Sequence, residues 1–489
     1  MKELIQQNIY ALLTPLTVLA AGLVISLLFP RLLPPTEFGV FTTLISFTIL
    51  FTGISDLGVP NTIIKIAGES FHSNDGHGGF YVRYLLKWKL VSLILLSLLL
   101  LLFPAQLAQI FLHDTSFAYI MQTLAVLVIL YSATQFITCL FISISRFEYS
   151  SLLSFVLNTS KLAFPLLLIL LFGATLPTIT IGVLLAFLLS AFFSLLLFHY
   201  RFNQNIATYL PPKKIEKVNS FLFYSTLLAW SGLLSGNIDS LLLNYFRGPE
   251  EFAFFKISNS IVLMLISLLP ISSTFLLSFL IKTEAKKERE LQRKLFDRSI
   301  KYGMLASIPL SFLIYLTANR IIFFFWPSTY MPAAVSLRIL SLLIPFNFLS
   351  GISISLFMSK GKMKELTANT VVFYLATWSI GLYLIPNYGL AGTALTFVLS
   401  NILQATVLLR ISLKLLGMKF NFMHLLKPTA VSIIVASIVI LLNPIIKSTV
   451  LLFLIAGASF CLLYLPLLEN DDKKLLNTLL SFLKLPALF

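Results

Sequence analysis

The chain has 489 residues, of which 58% are hydrophobic and only 11% are charged, and its mean hydropathy is +0.94. Soluble domains contain about 45–50% apolar and about 25% charged residues, so this composition excludes a soluble globular fold. The formal net charge of +16 does not call for a nucleic-acid partner, because a basic rim facing anionic membrane lipid accounts for it.

Fourteen apolar runs are long enough to cross a bilayer, which takes about 20 mostly apolar residues. The runs are too long and too uniformly apolar for barrel strands, which alternate over roughly ten residues. The sequence therefore predicts an all-α polytopic membrane protein with spans near 9–30, 39–62, 85–103, 117–143, 150–172, 178–199, 221–246, 252–280, 300–325, 333–358, 367–385, 389–412, 425–443 and 448–467.

The lysines and arginines indicate how the chain is oriented, because cytoplasmic loops carry most of them. With the N-terminus in the cytoplasm, 28 of the 35 fall in cytoplasmic segments, Lys89 among them. The sequence thus predicts a multi-pass membrane protein with both termini in the cytoplasm.

A short motif occurs twice in the chain. Residues 35–41, Pro-Thr-Glu-Phe-Gly-Val-Phe, join spans 1 and 2, and residues 249–255, Pro-Glu-Glu-Phe-Ala-Phe-Phe, join spans 7 and 8. The repeat predicts two pseudo-symmetric six-helix lobes, an N-lobe over 1–205 and a C-lobe over 206–415, followed by spans 13 and 14 and a tail over 416–489. Parallel repeats of this kind form transport sites near the bilayer midplane.

Lys161 lies near the middle of span 5, roughly 15 Å of helix from either end. A lysine side chain of about 6 Å cannot reach water from that depth, and an uncompensated charge there costs roughly 2.5–3.5 kcal/mol. We expect Lys161 to face a polar, substrate-binding cavity or a buried carboxylate.

Asp239 in span 7 follows Ser231 and Ser235 at a helical spacing of four residues, which places all three on one face. This face is either a cavity wall, with Asp239 binding a coupling ion or a cation, or a tight packing seam of small residues. Lys256 and Arg338 lie a few residues inside the outer ends of spans 8 and 10. They either contact substrate or extend outward to water.

Asp56 lies in the inner half of span 2, directly before Gly58 and Pro60. These residue types favour a helix break, and broken helices line transport sites. Asp56 is therefore a second candidate cavity or coupling-ion acid. Lys256 and Arg338 lie near the outer side, Lys161 is central and Asp56 lies near the inner side. Because three of these four charges are cations, the predicted route favours an anion such as phosphate.

Several motifs in a fixed order resemble those of the polysaccharide transporters. They are Arg31-Leu32-Leu33 leading into 37–41, Ser55-Asp56-Leu57-Gly58, Asp239 ten residues before Pro249, and Gly361-Lys362 after span 10. Together they resemble the Wzx-type O-antigen flippases, within the multidrug/oligosaccharidyl-lipid/polysaccharide exporter superfamily. The resemblance runs along the whole chain, although each motif is short.

The resemblance implies two helical lobes around a cationic cavity that moves an undecaprenyl-pyrophosphate-linked oligosaccharide from the inner to the outer leaflet. Arg31 and Asp56 match charged positions of the family pattern, whereas Lys161, Lys256 and Arg338 are inferred from depth. Ala253 stands where the first copy of the repeat has Gly39, so the lobes are not equivalent. The family also implies possible partners among the polysaccharide biosynthesis proteins.

The sequence predicts a flippase working by alternating access, with H⁺ or Na⁺ as possible coupling ions and membrane lipid as its surroundings. It predicts no enzyme, no catalytic residue, no cofactor and no metal site, because no Walker A, HExxH or GxSxG motif occurs in a suitable context. The main alternative is a multidrug and toxin extrusion antiporter of the same fold. A membrane glycan polymerase or glycosyltransferase is a weaker alternative, because the outer loops are short.

Overall fold

A computed structural model describes residues 17–18, 20–73, 75–202, 215–268, 273–442 and 449–464. These residues form helices and short connections, with no strand among them. Since lipid offers no hydrogen-bond partners, a spanning backbone must satisfy its own polar groups, and the helix does so within one segment. The predicted all-α class is confirmed.

The first half of the chain forms twelve helices among the described residues. They are α1 Ala20–Leu32, α2 Pro35–Ser55, α3 Val59–Thr62, α4 Gly68–Ser73, α5 Gly78–Leu102, α6 Pro104–Leu112, α7 Ala118–Ser143, α8 Phe147–Phe172, α9 Leu176–Leu197, α10 Glu216–Gly236, α11 Asn244–Arg247 and α12 Pro249–Leu268. Short π-helical stretches occupy Ile63–Ala67, Phe198–Phe202 and Asp239–Leu243.

Seven further helices follow in the described part of the second half. They are α13 Ser273–Ala285, α14 Arg289–Phe325, α15 Ala333–Ser341, α16 Leu343–Ser359, α17 Met363–Leu416, α18 Met423–Leu442 and α19 Thr449–Tyr464. The 54-residue α17 is broken at Gly389, whose φ of 52° and ψ of −124° are not helical. The break separates the two spans predicted at 367–385 and 389–412.

Eight helices of the described residues are long and apolar enough to cross a membrane, or up to nine if α15 and α16, bent by 43°, form one span. The predicted count of fourteen is not confirmed and stays a prediction. Residues 1–16, 203–214 and 465–489 lie outside the described residues, and with them both termini, the N-/C-lobe boundary at 205/206 and the C-terminal tail.

The chain divides into two compact units. Unit 1 contains residues 1–260, 326–333 and 374–396, and unit 2 contains 261–325, 334–373 and 397–489. The division follows spatial contacts rather than the repeat, so the lobes over 1–205 and 206–415 and the appendage over 416–489 remain predictions.

Unit 1 is organised around α7, which packs against α2, α5, α8 and α9. Its buried cluster joins Val59 and Ile63 after the α2 break to Leu85 of α5 and to Phe136 and Phe141 of α7. In unit 2, α14 packs against α16 and α18, and α18 packs against α19.

The two copies of the repeated motif meet within unit 1. Gly39 lies so close to the backbone of Pro249 that a Cβ at position 39 would overlap the Pro249 carbonyl. Four residues further along α2, the Thr43 hydroxyl donates to Asn244 Oδ1 at 3.1 Å. Close packing explains why the first copy has glycine, whereas Ala253 tolerates a side chain at the matching place of the second copy.

Candidate functional site

Helix α2 ends directly before Asp56, at the break that the sequence predicts. Leu57 and Gly58 have φ values of 46° and 66°, in the left-handed region. A Cβ at Gly58 would also approach the Thr226 backbone nitrogen to 2.5 Å. Both conformation and crowding therefore favour glycine here, and the break places the Asp56 side chain outside the regular helix.

Side chains of α10 satisfy the carbonyl groups that this break releases. Trp230 Nε1 donates to the Ile54 carbonyl at 3.1 Å, and the Ser225 hydroxyl donates to the Gly58 carbonyl at 3.1 Å. The Thr226 hydroxyl lies 2.7 Å from the Leu57 carbonyl. Because unpaired carbonyls are costly in an apolar environment, α10 stabilises the broken conformation.

Asp56 forms a buried ion pair with Lys89 of α5. Asp56 Oδ1 lies 2.6 Å from Lys89 Nζ, and the two side chains are 14% and 3% exposed. The ammonium also lies 5.3 Å from the centre of the Phe136 ring, a cation–π distance. The two charges cancel, so this site combines a neutralised acid with a break in the backbone.

Lys89 corrects the sequence interpretation, which counted it among the cytoplasmic cations. It lies next to the midpoint of α5, Gly78–Leu102, and is buried. The signal that reveals it is periodicity: Lys89 belongs to the buried stripe of this helix, spaced by three or four residues, formed by Val82, Leu85, Lys89, Leu93, Ser97 and Leu100.

Asp239 forms the second buried ion pair, with Lys256 of α12. Asp239 Oδ2 lies 2.8 Å from Lys256 Nζ, and the side chains are 2% and 25% exposed. Lys256 also lies 4.9 Å from the centre of the Phe252 ring. The structure pairs this acid with a cation, and whether its helix face is a cavity wall or a packing seam stays a prediction.

The backbone around Asp239 differs from the predicted continuous helical face. Helix α10 ends at Gly236, and Asp239 begins a π-helical stretch. The four-residue spacing from Ser231 and Ser235 therefore does not extend through Asp239. Both candidate acids, Asp56 and Asp239, lie where regular α-helix is interrupted.

Lys161 contacts aromatic faces. Its Nζ lies 5.7 Å from the centre of the Tyr131 ring and 4.9 Å from that of Phe187. Among the described residues, Lys161 forms no ion pair with a carboxylate. Aromatic rings attract a cation without supplying a counter-charge, so Lys161 differs from the two lysines that are paired with carboxylates.

The two predicted arginines occupy different units. Arg31 is exposed in the last turn of α1, in unit 1, whereas Arg338 is half-buried in α15, in unit 2. Lys161, Lys256, Asp56 and Asp239 all belong to unit 1. Charged side chains inside apolar helices mark candidate functional sites in a multi-pass membrane protein. Here two cations are paired with carboxylates and one lies over aromatic rings.

Comparison with known proteins assigns the chain to a family. The family model described as "Polysaccharide biosynthesis protein" matches residues 4–277, more than half of the chain. The chain belongs to this polysaccharide biosynthesis family. No curated protein matches it.

Solved structures share its fold over most of its length. A lipid II flippase MurJ in an inward closed conformation covers 94% of this chain and 100% of its own, with 15% identity and a TM-score of 0.74. An inward-facing multidrug resistance MATE family transporter of the MOP superfamily covers 83% of this chain and 94% of its own, with 16% identity and a TM-score of 0.64. A MOP superfamily transporter from Pyrococcus furiosus covers 84% and 94%, with 15% identity and a TM-score of 0.52. The fold is thus that of flippases and exporters, as the resemblance implies.

Proposed function

We propose that the chain is a flippase that moves an undecaprenyl-pyrophosphate-linked oligosaccharide, such as an O-antigen or capsule repeat unit, from the inner to the outer leaflet of the cell inner membrane. Family membership supports a role in polysaccharide synthesis, and the fold is that of transporters rather than enzymes. Both termini lie in the cytoplasm in this proposal.

The proposal rests on the surroundings of Lys161, which contain aromatic rings and no paired carboxylate among the described residues. Lys89 and Lys256 are matched by Asp56 and Asp239, whereas Lys161 is held over two aromatic rings. An ammonium group in an apolar span attracts an anion strongly, because little water screens the interaction. Pyrophosphate oxygens accept charge-assisted hydrogen bonds from such a group.

In the proposed mechanism the chain works by alternating access through a cationic cavity. Lys161 binds the pyrophosphate, Arg31 and Arg338 add charge along the route, and the polyprenyl tail stays in lipid. Asp56 and Asp239 are the candidate groups for H⁺ or Na⁺ coupling. A proton or metal ion reaching either carboxylate competes with its lysine, so coupling would release Lys89 or Lys256 to contact substrate.

Translocation of a fluorescent pyrophosphate-linked polyprenyl oligosaccharide in proteoliposomes tests this function. We expect transport by the wild type, at least a tenfold loss in Lys161→Met, and retention in Lys161→Arg, which keeps the charge and stacks on aromatic rings. Lys364→Met, at an exposed position of α17, is the matched control. Equal transport by wild type and Lys161→Met would remove Lys161 from the mechanism.

A multidrug and toxin extrusion antiporter is the second candidate, because the MATE transporters share this fold. The same proteoliposomes separate the two functions. Transport of cationic dyes without transport of the lipid-linked oligosaccharide would favour the antiporter.

A further inference from the structure

One face of α10 carries exposed aromatic and polar side chains that take no part in the two ion pairs or in the contacts at the helix break. Tyr224 is 68% exposed. With Glu216, Lys217, Ser220 and Phe221 it lines an open depression of about 430 Å³. This volume lies within the roughly 300–1,000 Å³ typical of small-molecule sites.

This face points away from the packing surface of α10. Val218 is buried in the core of unit 1, and Ser225 is buried against the α2 break. With 100° of rotation per residue, Glu216, Ser220 and Tyr224 fall on the opposite side of the helix. The side chains are therefore available to a ligand while the helix itself is held in place.

Two neighbouring segments contact α10 close to these side chains. Lys65 of the π-helical stretch lies with its Nζ 4.9 Å from the centre of the Phe221 ring. The Tyr84 hydroxyl of α5 donates to Asn219 Oδ1 of α10 at 2.7 Å. Tyr84 in turn stacks on Phe80, with ring centroids 6.0 Å apart and planes at 8°. The Phe221 ring is thus contacted by Lys65, and α5 contacts α10 at Asn219.

The combination of groups fits a sugar. Pyranose rings present C–H bonds to the electron-rich faces of aromatic side chains, while their hydroxyls pair with carboxylate, hydroxyl and ammonium groups. Tyr224 and Phe221 supply the faces, Glu216 and Ser220 the acceptors, and Lys65 a cation for acidic sugars.

We propose that Lys65, Glu216, Ser220, Phe221 and Tyr224 form a glycan-binding patch that contacts the oligosaccharide of the substrate, separately from the pyrophosphate at Lys161. This assignment rests on the proposed function and names the part of the substrate that the patch recognises. The patch gives the transporter selectivity among sugars, whereas Lys161 recognises the carrier common to all of them.

Binding of two probes to the full chain in nanodiscs tests the patch. The probes are the oligosaccharide released by mild acid from the host's own lipid-linked pool, and inorganic pyrophosphate. We expect Tyr224→Ala and Phe221→Ala to weaken oligosaccharide binding roughly three- to tenfold, as loss of one aromatic contact does. Pyrophosphate binding should be unchanged. Tyr200→Ala, at a residue that is 75% exposed elsewhere in unit 1, should bind both probes as the wild type does.

The outcomes separate this proposal from the proposed function. If the wild type transports the lipid-linked oligosaccharide but does not bind the free sugar, or if Tyr224→Ala binds it unchanged, the glycan patch is wrong and the flippase stands. An equal loss in Tyr200→Ala would indicate a general effect of interfacial aromatics and would also overturn the patch. If the sugar binds through Tyr224 but the lipid-linked form is not transported, the patch stands and the flippase function fails.

Discussion

The ammonium of Lys89 lies 2.6 Å from the carboxylate of Asp56, and both side chains are largely buried. The acid lies at the end of α2, where the helix breaks, and the base lies on the buried stripe of α5. The ion pair therefore fixes the broken end of one helix against the side of another.

Lys89→Met should destabilise the protein by about 3–5 kcal/mol, because it leaves the Asp56 carboxylate buried without a counter-charge. The double variant Asp56→Asn, Lys89→Met should recover most of this loss, since it buries no lone charge. Thermal unfolding in detergent, compared across the single and double variants, checks the prediction. Equal destabilisation by both would show that packing, rather than charge, dominates at this site.

Gly39→Ala should destabilise the contact between the two copies of the motif, because the new methyl group overlaps the Pro249 backbone. We expect a cost of about 1–3 kcal/mol, as for other overpacked positions. Gly22→Ala is the control: a Cβ there meets nothing within 4 Å, and alanine favours the helix. Unfolding midpoints of the two variants should move in opposite directions, and a neutral Gly39→Ala would contradict the packing argument.

Trp230→Phe should leave the Ile54 carbonyl without the indole N–H that it now accepts at 3.1 Å. The expected loss is about 1–3 kcal/mol, the cost of leaving a buried acceptor unsatisfied. Trp88→Phe, at a residue that is 48% exposed, makes the same chemical change away from the helix break. Protection of residues 54–58 from hydrogen exchange should fall in the first variant only.

Glu284 at the end of α13 gives the protein a pH-dependent contact. The hydrogen bond from Lys360, 2.7 Å away, lowers the pKa of this carboxyl below its usual 4.5, against a smaller opposing effect of burial and with help from Gln292. A lowered pKa stabilises the folded state above the ordinary pKa, and this stability is lost as the pH falls through the folded-state value.

Glu284→Gln should therefore be less stable than the wild type at pH 7. The difference should shrink as the pH falls below the ordinary pKa of 4.5 and vanish once the pH is below the lowered folded-state pKa. Because Glu284 is 40% exposed, solvent screening keeps the difference under about 1 kcal/mol. Glu365→Gln removes the more exposed pair with Lys362 and should have little effect at either pH. Unfolding midpoints measured from pH 7 to well below the ordinary pKa of 4.5 check both variants.

Much of the site followed from residue types and their order. The break after α2 could be predicted because Gly58 and Pro60 disfavour a continuous helix whatever surrounds them. Lys161 could be singled out because its distance from both ends of an apolar run is a property of the sequence. Lys89 was missed because it lies nearer the end of its run, where an exposed cation is the ordinary case.

By itself the sequence determined that this protein is an α-helical membrane protein of a polysaccharide-related transporter class, since hydropathy, charge bias and short motifs are read along the chain. Only the tertiary structure decided which charged side chains form ion pairs. Lys89 meets Asp56, Lys256 meets Asp239, and Lys161 meets Tyr131 and Phe187. The reason is physical: a buried charge takes its energy from the group within a few ångströms, and that group lies on another helix or across a break.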